Sequence, residues 1–519
     1  MSSTDAQSVV IDFLSLPSSY PSSSTDPVGS VETITTHASV IFLAGARAYK
    51  LKRAVKYSYL DYGSVSTREG ACRAELTLNR RTAPSLYLDV VPVTREPSGA
   101  FALDGKGTVL DWVVVMRRFP QEHLFSYLAD HRMLSIPILL ALTDRVAAFH
   151  EGAEIRQDQG GAAGIAAVIA INDENLRRTL ADTVPVARID ELRDRTRTTT
   201  MRLDDLLERR RRGGRVRQCH GDLHLGNICL IDGEPTLFDC IEFSDLIACT
   251  DVLYDLAFLL MDLRFRNMNE ACGLVFNRYL DLTQDDDGVA LLPFFISLRA
   301  SVRAHVTAAA ADAASEADRI RLLAKAGDYM RHALDALAPQ VPRLIAIGGL
   351  SGSGKSSVAA AIAGDVGQAP GARVVRSDIV RKQLFAVAPE QRLPAEAYRP
   401  DVNEEVYRGL LSRTEATLAG GQSAIIDAVS ARPAERAAMK HLADRQGAVF
   451  EGIWLTTDAD RLRTRIAARR HDASDATVAV VERQLGYDLG KIDWHRLDAG
   501  RSIGEVIADA RRLLGLPAA

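Results

Sequence analysis

The chain lacks a charge imbalance: 63 Lys and Arg stand against 67 Asp and Glu over 519 residues, a formal charge of -4. Net charge therefore gives no reason to expect a nucleic-acid or membrane-surface partner. Long apolar runs are also missing. No uninterrupted span of about 18 apolar residues occurs, and the N-terminus has no basic segment ahead of an apolar core. Neither a membrane helix nor a secretory signal is expected, and the cytoplasm is the expected compartment. Cysteine is sparse, at positions 72, 219, 229, 240, 249 and 272, with no C-x-x-C pair and no zinc-type His spacing. The six read as small buried hydrophobes, without zinc.

What is present is a chain too long for one core, with 47 % hydrophobic residues, so two or three globular domains are expected. The most informative stretch is Leu344-Ile345-Ala346-Ile347-Gly348-Gly349-Leu350-Ser351-Gly352-Ser353-Gly354-Lys355-Ser356. An apolar run reads as a buried strand, glycines open a loop, and an alanine-rich helical pattern follows. From Gly349 the spacing fits G-x-x-x-x-G-K-S, a loop whose N–H groups meet phosphate oxygens in front of a helix N-terminus. Gly349, Ser351, Gly352, Ser353, Gly354, Lys355, Ser356 and Ser357 are the candidate nucleotide contacts, with Lys355 on the outer phosphates and the Ser356 hydroxyl on Mg²⁺. With no N-K-x-D base-reading element, a GTPase is not expected.

Two further strands of this half end in acids: Ala372 to Asp378, and Ser423 to Asp427. Acids at strand C-termini beside a phosphate loop lie where doubly wound sheets bind ligands. Asp378 is the candidate for holding an acceptor hydroxyl, and Asp427 for Mg²⁺. Phe450 to Leu455 reads as a fourth strand. The helix expected from Asp458 to Arg470 carries Arg461, Arg463, Arg465, Arg469 and Arg470, suited to closing over a triphosphate.

Earlier in the chain, Ser39 to Ala44 and Ala48 to Lys52 read as strands around a Gly45-Ala46-Arg47 turn. Alternation puts Ala48, Lys50 and Lys52 on one face. A helix around Arg68 to Arg80 carries Glu69 and Glu75, and strands follow at Val90 to Val93 and Val109 to Met116. After a helical middle come His220-Gly221-Asp222-Leu223-His224-Leu225-Gly226-Asn227 and Leu237-Phe238-Asp239-Cys240-Ile241-Glu242-Phe243. An Asp, an Asn five residues on, and a second Asp after a strand form the set a protein kinase uses for a base and two metal ligands. Asp222 is the candidate base; Asn227 and Asp239 offer the hard oxygens Mg²⁺ prefers.

The H-G-D-L-H-L-G-N and F-D-C-I-E-F motifs resemble the aminoglycoside phosphotransferase and choline-kinase branch of the kinase-like fold, over about residues 33 to 338. The resemblance implies a bilobal kinase-like fold with Lys50 as the kinase lysine, Glu75 as its ion-pair partner, and Lys52 as its rival. Met116 to Phe119 would form the hinge that meets adenine. Residues 343 to 519 resemble the P-loop kinases that include gluconate kinase, polynucleotide kinase domains and zeta-type toxins. By that resemblance Ser377-Asp378 with Arg381 is an S-D-x-x-R element, with Asp378 as base, Arg381 as a substrate or phosphate contact, and the arginine helix, with Arg465, as a lid.

The expected organisation is thus a flexible segment 1–32, an α+β kinase-like domain 33–338, and an α/β doubly wound P-loop domain 343–519. The break falls at Pro339-Gln340-Val341-Pro342. Within the first segment Val9 to Leu14 is expected to form a short docking helix. The basic tract Arg209 to Arg217 reads as a solvated helix end, with polyanion contact as the alternative. The acidic tract Gln284 to Gly288 reads as a solvated turn. The function expected is ATP- and Mg²⁺-dependent phosphoryl transfer to a hydroxyl of a small molecule. The alternatives are that one half is a regulatory ATP-binding module, or that the P-loop half acts on a polynucleotide 5′-hydroxyl. Oligomeric state is not readable.

Overall fold

A computed structural model of the chain describes residues 3–21, 26–36, 38–57, 60–468 and 474–518. The chain divides into two compact units, residues 1–164 with 207–255, and residues 165–206 with 256–519.

In the first unit a six-stranded antiparallel sheet runs in the order Val31–Thr35, Ser39–Ala44, Arg47–Lys52, Thr108–Arg117, Tyr87–Arg95, Phe101–Leu103. The lysine strand is internal, with Lys50 opposite Ile41 on one side and Val114 on the other. Alternation then divides its side chains. Tyr49 and Leu51 join Val40, Phe42, Val113 and Val115 in one apolar cluster, while Ala48 faces another with Cys72 and Val114.

The segment expected to be flexible contains a docked helix, Ser3–Leu14, longer than the sequence reading gave it. Val10 and Leu14 are buried in the same cluster as Phe42. Gln7 donates to Lys52 O and to Asp111 Oδ2, both at 2.8 Å, and accepts from Ala54 N at 2.7 Å. Of the same call, residues 1, 2 and 22–25 lie outside the described residues. The basic tract is the expected helix end, with Arg212 closing the helix Val186–Arg212 and Arg209 and Arg212 exposed, but it is solvated only in part. Arg210 is buried and bidentate on Asp251 at 2.7 and 2.8 Å, and Arg217 donates to His150 O at 2.9 Å.

The second unit is built on a five-stranded parallel sheet in the order Arg373–Arg376, Ala424–Asp427, Arg343–Gly348, Val449–Thr456, His495–Asp498. The last strand was not anticipated. The central strand is buried on both faces, which explains its unbroken apolar run. Ile345 and Ile347 enter one cluster with Val358 and Ile362, and Leu344 and Ala346 enter the opposite one with Leu410 and Met439.

One edge of this sheet is closed by the helix Asn269–Thr283. The Asn277 amide donates to Ala372 O at 3.1 Å and accepts from Val374 N at 2.7 Å, taking the hydrogen bonds a further strand would make. Beside it Arg373, 1 % exposed, reaches Asp281 and Asp286 at 2.7 Å each. The acidic tract is therefore not a solvated turn: Asp285 and Asp286 are buried, and Asp286 neutralises a strand arginine. The stretch Asp286–Ala310 is the one among the described residues long and apolar enough to cross a membrane, and 72 % of its apolar window is buried inside the structure. It is a core element.

Removing one partner of a buried ion cluster leaves the others charged and dry. Arg373→Ala should therefore destabilise the second unit by about 3–5 kcal/mol. Asn277→Ala should cost about 1–3 kcal/mol through the two orphaned strand groups. Urea denaturation of the full chain followed by Trp fluorescence measures both, since all three tryptophans but Trp112 report from this unit.

Candidate active sites

In the first unit, a hairpin brings together the candidate base and the candidate metal ligands. Ile228–Ile231 pairs antiparallel with Glu234–Leu237 across Asp232-Gly233, whose φ values of 54° and 86° suit a two-residue turn. With Ile228 opposite Leu237, the hairpin brings Asn227 beside Phe238, whose N–H donates to Asn227 O at 3.0 Å. Asp239 follows at once, with φ 64° and a side chain 40 % exposed.

Asn227 Nδ2 donates to Asp222 Oδ2 at 2.8 Å and to Asp222 O at 3.0 Å. That bond fixes the candidate base and leaves Oδ1 as the oxygen Asn227 can offer a cation. The loop before Asp222 is held by Asp255, which the sequence reading did not single out. Its carboxylate accepts from His220 N at 3.1 Å and Gly221 N at 2.9 Å and pairs with His150 Nε2 at 3.1 Å. Gly221 has φ 82°, and a Cβ there would meet Ile241 Cγ1 at 2.9 Å, so the middle position of H-G-D takes glycine.

The two lysines share Glu75. Lys50 Nζ lies 2.8 Å from Glu75 Oε1 and 2.5 Å from Asp239 Oδ1. Lys52 Nζ lies 2.6 Å from Glu75 Oε2 and pairs with Glu242, which also accepts from Tyr62 OH at 2.6 Å. Lys50 is thus the lysine that reaches the metal-type acid, while Lys52 is walled in at 2 % side-chain exposure. Burial alone would lower both ammonium groups, but the surrounding carboxylates hold them well above the ordinary lysine value. Burial alone would raise Glu75, and the two lysines hold it down to about 2. Glu242 stood in the quoted F-D-C-I-E-F motif without a role. Arg118 N donates to Ala46 O at 2.9 Å, so the expected hinge begins as a continuation of the sheet.

In the second unit the loop from Gly349 to Gly354 runs into the helix Lys355–Ala363. Gly349 has φ 140°, and a Cβ there would meet Leu455 O at 2.7 Å. Lys355 Nζ donates to Leu350 O at 3.1 Å, and Ser356 Oγ donates to Asp427 Oδ2 at 2.6 Å. The Ser353 hydroxyl is buried with no hydrogen-bond partner among the described residues, as a group awaiting an acceptor would be. Ser351 N donates to Gln484 Oε1 at 2.8 Å, so the helix Val478–Leu485, unassigned from sequence, orients the loop. Gly352 lies buried within it, and Ser357 is exposed on the first helical turn.

Asp378 stands in the first turn of the helix Ser377–Leu384. Burial raises its carboxyl above the ordinary value, opposed by Arg376 and reinforced by Asp427. Arg381 is committed to protein groups: it donates to Ala397 O at 2.6 Å and Asn403 Oδ1 at 2.8 Å and stacks on Tyr398. The arginine helix spans Ala459–Ala468. Arg463 pairs with Glu482 and Asp460 at 2.6 and 2.7 Å, and Arg461 pairs with Asp458 at 3.2 Å. Arg465 reaches only Arg501 O, at 3.5 Å, among its described hydrogen bonds. Arg469 and Arg470 lie outside the described residues.

The donors fit what a nucleotide-bound Mg²⁺ takes, with an amide and a carboxylate oxygen in the first unit and a hydroxyl and a carboxylate in the second. The fold brings together Asp222 with Asn227 and Lys50 with Asp239 in the first unit, and Ser356 with Asp427 in the second.

Residues 100–292 match the model of a phosphotransferase enzyme family, and residues 344–487 match that of an AAA domain. An uncharacterised protein of Mycobacterium tuberculosis, Rv2004c, is 31 % identical over 492 residues, covering 91 % of this chain and 93 % of that one. Parts of the chain are similar to solved structures. A gluconokinase from Sinorhizobium meliloti shows 20 % identity and a TM-score of 0.25, over 34 % of this chain and 93 % of that one. A choline/ethanolamine kinase family protein from Mesorhizobium loti shows 14 % identity and a TM-score of 0.36, over 60 % and 92 %. The chain belongs to the same family as the Mycobacterium tuberculosis protein, and its two matched domains, a phosphotransferase and a P-loop kinase, make it an ATP-dependent kinase.

Proposed function

We propose that the chain has two working ATP sites, each transferring the γ-phosphoryl group to a hydroxyl of a small molecule such as a sugar or amino sugar. The observation that carries the reading is that each half keeps a full set of groups: Lys50, Asp222, Asn227 and Asp239 in one, Lys355, Ser356, Asp378 and Asp427 in the other. A regulatory module that had lost catalysis has no need of both bases and both cation-binding pairs. The proposed functional domains are 33–338 and 343–519, and the proposed compartment is the cytoplasm.

Phosphoryl transfer asks little covalent chemistry of a protein, so positioning and charge supply most of the rate. In the first site Asp222, fixed by Asn227, orients the acceptor hydroxyl and accepts its proton. Lys50 neutralises phosphate while Glu75 keeps the ammonium aimed. In the second site Asp378 takes the acceptor hydroxyl and Lys355 the outer phosphates, with loop N–H groups cradling the rest. Mg²⁺, bound with the nucleotide, would be held by Asn227 and Asp239 in one site and Ser356 and Asp427 in the other, where it supplies neutralising charge.

Asp222→Asn and Asp378→Asn should each lower one acceptor-dependent ATPase signal by about 10²–10⁴-fold and leave the other intact. Turnover against a panel of hydroxyl acceptors checks this, with the partner site disabled. Activity surviving Asp378→Asn beside Asp222→Asn would remove both assignments. The two lysines should separate by readout. Lys50→Met should lose first-site turnover with little change in Tm, because Lys52 still holds Glu75. Lys52→Met strands Glu242 in the interior and should lower stability by about 3–5 kcal/mol, measured by thermal unfolding.

A further inference from the structure

Arg376 has no role in the chemistry so far. It ends the strand Arg373–Arg376, directly before Ser377-Asp378, and in the parallel register it lies opposite Asp427. Its Nε is 3.4 Å from Asp427 Oδ2, and its Nη2 donates to Ser356 Oγ at 3.3 Å. Ser356 donates to that same Asp427 oxygen at 2.6 Å. The guanidinium therefore stands at the meeting point of the phosphate-loop hydroxyl and the strand-end acid.

Arg373, three residues earlier on the strand, shows what a structural arginine looks like here. It is 1 % exposed, with two carboxylates at 2.7 Å. Arg376 differs in exposure: its side chain is 22 % exposed, where the strand meets the phosphate loop. A guanidinium cannot shed its charge, and its planar fork suits phosphate oxygens. Ser356 and Asp427 stand on its metal side and Asp378 on its acceptor side, and the group that passes between those sides is the terminal phosphoryl.

We infer that Arg376 is a γ-phosphate contact of the P-loop site, meeting the terminal phosphoryl oxygens and letting the site distinguish ATP from ADP. The inference rests on the second-site reading above, with Lys355 and Ser356 holding the outer phosphates.

The test is calorimetric binding of ATP and of ADP, each with Mg²⁺, to the full chain and to Lys355→Ala, Arg376→Ala and Arg376→Lys. Binding lost in Lys355→Ala defines the second site; if none is lost, the second-site reading itself fails. With that site defined, Arg376→Ala should weaken ATP there by about 10–100-fold, the worth of charge-assisted hydrogen bonds. ADP binding should change by less than about twofold, since the contact is to the γ-phosphate alone. Equal weakening of ATP and ADP, or no change in either, overturns the inference. If Arg376→Ala does not fold, Arg376→Lys decides: a fall in the ATP to ADP affinity ratio upholds the contact, and an unchanged ratio removes it.

Discussion

A triphosphate is bound well only where positive charge already stands in place, and a buried cation stays in place only where carboxylates hold it. The first site satisfies this with Glu75, which is fully buried and divided between Lys50 and Lys52. One carboxylate between two ammonium groups leaves an excess of positive charge, and Asp239 and Glu242 take it up. Because those two acids lie on the segment after the hairpin, the same ion cluster joins the lysine strand, the glutamate helix and the metal-type loop. Charge storage and site assembly are one interaction.

The second unit meets the same constraint with a division of labour along one strand. Arg373 is spent on architecture, binding Asp281 and Asp286 beside the Asn277 amide. Arg376, at the strand's C-terminal end, faces Ser356 and Asp427. Two residues separate an arginine that fixes the sheet edge from one that faces the phosphate loop. A strand anchored at one end by a buried ion cluster holds its other end steady, and that end carries Asp378.

The motifs were legible because each is local: the phosphate loop and H-G-D-L-H-L-G-N carry spacing, glycine pattern and chemistry in a few residues, and the structure gathers their groups together. The strands around them were legible as apolar runs, and Lys50 and Lys52 could be put on one face by alternation alone. Alternation alone did not choose between the two lysines, and it was the resemblance that put Lys50 ahead of Lys52, because the choice depends on Asp239 and Glu242, 189 and 190 positions away. The acidic tract was misread, and the buried Arg210 of the basic tract missed, for the same reason. A run of arginines or aspartates looks solvated until Asp251 or Arg373 is brought against it by a distant part of the chain. Asp255 was not singled out, since two of its partners are backbone N–H groups that leave no mark in sequence.

The break between the halves shows how chemistry and packing can divide a chain differently. Two prolines and the change of motif put it at 339–342, yet residues 256–336 share a compact unit with the P-loop sheet. The reason lies in the sheet's edge. Among the described residues, strand Arg373–Arg376 has no strand neighbour on its outer side, and an open edge invites pairing with other chains. Asn277 supplies the missing hydrogen bonds and Asp281 and Asp286 the missing charge, all three from the helical part that precedes the prolines. A P-loop half cut at the prolines would keep every motif residue of its site. It would also expose a strand edge and a buried arginine stripped of its acids, so the helices before the prolines are part of what makes the P-loop half fold.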